Sequence, residues 1–140
     1  EFEGSGGWEK ESSRVQAVAD FFGPSDIYTM GDSPSSLDHN APDSPEAKLI
    51  GGAIKDNKAK ADAASPITYV SKDDPPYLIV HGDKDMTVPM QQSVKLEAAL
   101  KKAGGDVSLI IMPGEGHGFK SREPNEAVMR FFERVLKAGK

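Results

Sequence analysis

The chain has 140 residues, 37% of them hydrophobic and 28% charged, which is apolar material for about one core. Seventeen Lys and Arg against 22 Asp and Glu give a net charge of −5, a balance unsuited to binding nucleic acid or an anionic membrane surface. Cysteine is absent, which excludes disulfides, thiolate chemistry and Cys-based zinc sites, and no apolar run approaches the ~18–20 residues of a membrane-spanning helix.

In chain order, residues 1–13 are rich in Gly and Glu, with Trp8 and Phe2 as their large apolar groups. They predict a flexible entry loop. Residues 14–22 (RVQAVADFF) end at Gly23-Pro24 and read as a buried strand. Residues 31–44 form a long polar loop containing His39, a kind of segment that is often functional or mobile. Ser44 and Pro45 mark a helix start, as cap and first helical residue, and Gly51-Gly52 its end. A second helix is expected over 55–64, stopping before Ser65-Pro66.

The clearest pattern follows. Pro75-Pro76 precede the apolar run Tyr77–Val80, and His81-Gly82 close it. A strand without polar alternation is buried on both faces, as in parallel sheets. A polar loop, 83–88, leads to a helix from Pro89 to about Lys102, with Leu96, Ala99, Leu100 and Ala103 on one face. Gly104-Gly105 stop it. Val107–Met112 is a second all-apolar strand, residues 113–119 are a Gly-rich loop, and Pro124 opens a last helix with an apolar face of Ala127, Val128, Phe131, Phe132, Val135 and Leu136. Strand, loop, helix repeated twice predicts an α/β fold: parallel strands with flanking helices. Function in such sheets collects on loops at the carboxyl ends of strands.

Those two loops carry the candidate chemistry. The first holds Asp83 and Asp85, the second His117 between glycines. A carboxylate that accepts a proton from one imidazole nitrogen fixes the tautomer, and the other nitrogen is left to act as a base. Asp83 competes with Asp85 for the acid role, its structural alternative being a bond to backbone amides. His81 reads as a packed or hydrogen-bonded histidine supporting the Asp loop. Thr87 and Val88 read as site lining or, better, as a cap for the next helix. Met86, Met90 and Phe119 are equally pocket wall or core.

The segments YLIVHGDKDMTVP (77–89) and PGEGHGF (113–119), followed by a helix, resemble the last third of an α/β-hydrolase. RVQAVADFFGPSD (14–26) and ASPITYV (64–70) are similar to its esterase/lipase branch, including enzymes like acetyl xylan and feruloyl esterases. The resemblance implies that residues 14–140 are the C-terminal portion of one α/β-hydrolase domain. Within it, Asp85 takes the acid role and His117 the base role of a Ser-Asp-His triad, with no cofactor or metal. The implied function is carboxylic ester hydrolysis through an acyl-enzyme, acting on a small ester substrate. A prolyl-oligopeptidase-like serine peptidase and a noncatalytic hydrolase-like interaction module are the alternatives.

The sequence contains no GxSxG elbow, the strand-to-helix turn that presents such a serine. Gly4-Ser5-Gly6-Gly7 has neither the strand before it nor the helix after it. The expectation is therefore a complementary N-terminal part that carries the nucleophile and docks to this chain, which alone is inactive.

Overall fold

The structure, a computed structural model, describes residues 5–137. The first four residues of the expected entry loop lie outside that range. Residues 5–13 form neither helix nor strand and are exposed.

Three strands build one parallel sheet in the order β1 (Val18–Phe21), β2 (Tyr77–Gly82), β3 (Val107–Met112). Val18 pairs with Tyr77, and Tyr77 with Val107; at the other end Gly82 pairs with Met112. β2 is central, and Leu78 through Gly82 are all buried. Alternation along the strand sends its side chains to two faces. Leu78 and Val80 join Met112, Ala127 and Phe131 under helix Glu123–Lys137. Ile79 joins Leu96 and Leu100 of helix Gln91–Ala103 on the other face. His81, two residues after Ile79, therefore points to the Gln91–Ala103 side. Full burial of such Leu, Ile or Phe side chains stabilises by roughly 1.5–3 kcal/mol each.

The helices are numbered α1 (Pro45–Ile50), α2 (Lys58–Ala63), α3 (Gln91–Ala103) and α4 (Glu123–Lys137). Punctuation worked as the residues predict. Ser44 Oγ accepts from the Ala47 amide at 3.1 Å, and Pro45 is the first residue of α1. Gly104 ends α3 at φ 88° with its N–H bonded back to the last turn, a conformation glycine adopts without strain. β2 and β3 have the expected boundaries.

Two elements differ from expectation. The helix expected over 55–64 is divided into a 3-10 turn, Ile54–Asp56, and α2. Asn57 divides them: its side chain donates to the Ala53 carbonyl at 2.9 Å and its backbone leaves the helical region, a local bond that competes with helix. The strand expected over 14–22 is only Val18–Phe21, because β2 begins opposite Val18 and Phe22 turns away at φ 47°. Among the described residues β1 pairs with β2 alone, so it forms one edge of the sheet.

Candidate active site

The loop after β2 and the loop after β3 meet at the carboxyl edge of the sheet, and Gly82 permits this. A Cβ there would lie 2.3 Å from the Glu115 carbonyl oxygen and 2.6 Å from that of Gly116. The approach is sealed by backbone bonds from Asp83 N–H to Met112 O (3.1 Å) and from Lys84 N–H to Glu115 O (2.8 Å). Asp83 Oδ1 accepts the Gly114 amide at 2.7 Å. Of its two alternatives, Asp83 takes the structural one.

Asp85, not Asp83, is the carboxylate that reaches His117. Its side chain is fully buried, and both carboxylate oxygens face donors. Oδ1 takes the amides of Thr87 (2.8 Å) and Val88 (2.9 Å), and Oδ2 lies 2.9 Å from His117 Nδ1. Burial pushes this carboxyl up, but the Val88 amide, the His117 ring and the Thr87 amide outweigh it, and the net result lies below the ordinary carboxylate value. A carboxylate only accepts, so His117 Nδ1 carries the proton and Nε2 keeps the lone pair. His117 is 37% exposed at its side chain, which leaves it reachable from outside. Thr87 and Val88 do not cap α3, whose N-cap position is Met90. They supply backbone amides to Asp85.

The acid loop is clamped from both sides. His81 is completely buried, with Nε2 2.9 Å from the Val88 carbonyl and Nδ1 2.7 Å from Ser93 Oγ on α3. The carbonyl only accepts, so Nε2 carries the proton and Ser93 donates to Nδ1. From the other side, the Met86 carbonyl takes Ser36 N–H (2.7 Å), Ser36 Oγ (2.8 Å) and Ser35 Oγ (2.9 Å). Ser35 Oγ also lies 3.0 Å from His39 Nε2, and His39 Nδ1 lies 3.1 Å from Glu46 Oε1. This copies the connectivity of a Ser-His-acid relay, yet the His39 side chain is 1% exposed, too enclosed to pass a proton to a substrate. It anchors the 31–44 loop, which is pinned to the acid loop rather than free. Sequence reading assigned His39 no role, because its burial depends on Glu46 and Ser35 being folded around it. Gln92 was missed for the same reason: buried at the start of α3, it accepts the Ser25 and Asp26 amides at 3.0 and 2.7 Å.

β1 contributes two further groups. Asp20 accepts the Gly23 amide at 3.0 Å, and burial pushes its carboxyl above the usual value despite that bond. Phe22 packs its ring on His117 with centroids 4.3 Å apart. Its left-handed backbone costs about 1–2 kcal/mol in a non-glycine residue. Phe119 belongs to the core side of its two readings, packing against Phe21, Phe22 and the cluster under α4. Met86 and Trp8 are exposed.

The BD-FAE family model matches residues 2–100. The chain is 34% identical over 132 residues to Esterase LipQ of Mycobacterium tuberculosis (strain ATCC 25618 / H37Rv), an alignment covering 89% of this chain and 30% of that protein. A solved "truncated form of carbohydrate esterase from gut microbiota" aligns at TM-score 0.84 and 37% identity, over 96% of this chain and 48% of that one. Pyrococcus horikoshii acylaminoacyl peptidase aligns at TM-score 0.68 and 26% identity, over 90% of this chain and 21% of that one. The chain thus spans less than half the length of each of these proteins.

Proposed function

The chain belongs to the BD-FAE family, within the esterases of the α/β-hydrolase fold, and from that premise we propose that it supplies the acid and base of a carboxylic ester hydrolase that works through a serine acyl-enzyme. The observation that carries this is the bond between His117 Nδ1 and the buried Asp85 carboxylate at 2.9 Å, on loops after neighbouring strands.

In this reading the nucleophilic serine comes from a complementary N-terminal part. Its oxygen attacks the ester carbonyl while its proton passes to His117 Nε2. Asp85 holds the imidazolium through Nδ1–H. The tetrahedral intermediate collapses, the C–O bond to the alcohol breaks, and His117 returns the proton to the departing oxygen. Water then repeats the sequence on the acyl-enzyme, with His117 again as base, and releases the acid. Backbone amides of the complementary part stabilise the oxyanion. The unpaired edge of β1 supports docking of a further strand there, since exposed edges normally find partners. An ester is favoured over a peptide because the esterases at 34 and 37% identity align over 89 and 96% of this chain, whereas peptidase relatives of similar identity, 33 and 36%, align over only 47 and 38% of it.

Hydrolysis of p-nitrophenyl acetate tests the division of labour. The 140-residue chain alone is expected to match the buffer rate, whereas the complete protein turns the ester over. Turnover by the purified chain that disappears in His117→Ala would overturn it.

A further inference from the structure

Among the described residues, the His117 ring makes one hydrogen bond, from Nδ1 to Asp85. A single bond leaves the ring free to swing about its own donor–acceptor line, and Nε2 would swing with it. What lies against the ring is Phe22, with centroids 4.3 Å apart and planes inclined at 46°. Phe22 is the one non-glycine residue with positive φ among the described residues. Its conformation is held on both sides: its own amide donates to the Val80 carbonyl at 3.0 Å, and the next amide, of Gly23, donates to Asp20 Oδ1 at 3.0 Å. Phe119, two residues after His117, packs on the same ring at 5.2 Å, and Phe21 meets Phe119 edge-on at 5.2 Å. A bulky residue persists in this backbone region only when its surroundings over-determine it, and such residues cluster at functional sites. Glycine would turn here without strain, yet this position places an aromatic ring on the candidate base.

We propose that Phe22 is a positioning residue for His117: its left-handed turn holds an aromatic ring, tilted at 46°, against the imidazole, fixing the ring plane and favouring the imidazolium formed during acyl transfer. The inference rests on the reading of His117 as the general base. A protonated ring within about 6 Å of an aromatic centroid is attracted by the ring quadrupole. That attraction acts on the charged state and therefore on the step in which His117 carries the serine proton. The bonded charge is Asp85, from the loop after β2. The other titratable groups at this end of the sheet include Asp20 of β1, His81, Asp83 and Lys84 at and after the end of β2, and Glu115 and Lys120 around the loop of His117, and the variants below leave all of them in place.

Three substitutions separate the roles. Phe22→Leu keeps apolar bulk without the π face, Phe22→Tyr keeps the ring, and Phe22→Gly releases the turn. In Phe22→Leu the His117 titration, followed by imidazole NMR of this chain, is expected to move down by about half a pH unit. In the complete protein, kcat for p-nitrophenyl acetate falls roughly tenfold or more, KM changes less than twofold, and the acid limb of the rate profile moves down with the titration. Phe22→Tyr stays at wild type in all of these. Phe22→Gly loses kcat like Phe22→Leu, because both remove the ring that packs on His117. A Phe22→Leu protein whose His117 titration and acid limb stay in place overturns the inference, whether kcat falls or not, since a merely structural ring moves neither. Failure of the underlying reading looks different: activity then survives His117→Ala.

Discussion

Asp85→Asn in the complete protein is expected to lower kcat for p-nitrophenyl acetate by about 10⁴-fold, with KM nearly unchanged. The size follows from the donors around the side chain. Oδ1 of Asp85 faces two backbone amides, from Thr87 and Val88, which an asparagine satisfies only with its carbonyl oxygen. Its NH2 group then replaces Oδ2 and meets His117 Nδ1 as a donor. The imidazole answers by accepting at Nδ1 and carrying its proton on Nε2, the nitrogen that must take the serine proton. The fold is retained while the base is in the wrong tautomer. The same substitution has a stability signature. Asp85 lies below its ordinary value in the folded chain, so its ionised form stabilises the fold above the unfolded carboxylate range. That contribution is lost as pH falls through the lowered folded value. The wild type therefore loses this increment on acidification, and Asp85→Asn does not. Steady-state kinetics at neutral pH and thermal melts between neutral and acid pH check the two halves.

Gly82→Ala is the second large effect, and it is a matter of space. The added methyl meets Glu115 O at 2.3 Å, Glu115 C at 2.6 Å and Gly116 O at 2.6 Å. All three are backbone atoms, so no side chain can rotate to make room. Either β2 or the His117 loop must shift, and the shift separates Asp85 from His117. A destabilisation of about 2–3 kcal/mol is expected, with at least 10²-fold lost from kcat because positioning errors of an ångström carry that penalty. Gly116→Ala is the control. Its Cβ would find only Lys84 O at 3.7 Å, an ordinary contact, and its stability should stay within about 0.5 kcal/mol of wild type. Urea denaturation of the two variants side by side gives the comparison.

The parts of this site legible in the sequence are those written in local pattern. Pro75-Pro76 and Gly82 around an apolar run define β2, Gly104-Gly105 stop α3, and the two polar loops after β2 and β3 present Asp85 and His117. Contacts between distant segments were not legible. Nothing near His39 signals that Ser35 and Glu46 enclose it, and nothing near Gln92 that it holds the Ser25 and Asp26 amides. The part Thr87 and Val88 play in holding Asp85 was not legible because it is played by backbone amides, which side-chain identity does not report. Phe22 is hidden for a different reason. Its conformation contradicts its residue type, so the local pattern predicts a strand that continues where the chain turns.

The most direct measurement is covalent labelling of the complete protein by a fluorophosphonate, followed by peptide mapping. The account predicts one labelled serine outside these 140 residues, with the label lost in His117→Ala. A label on a serine within this chain, or one undiminished in His117→Ala, would contradict it.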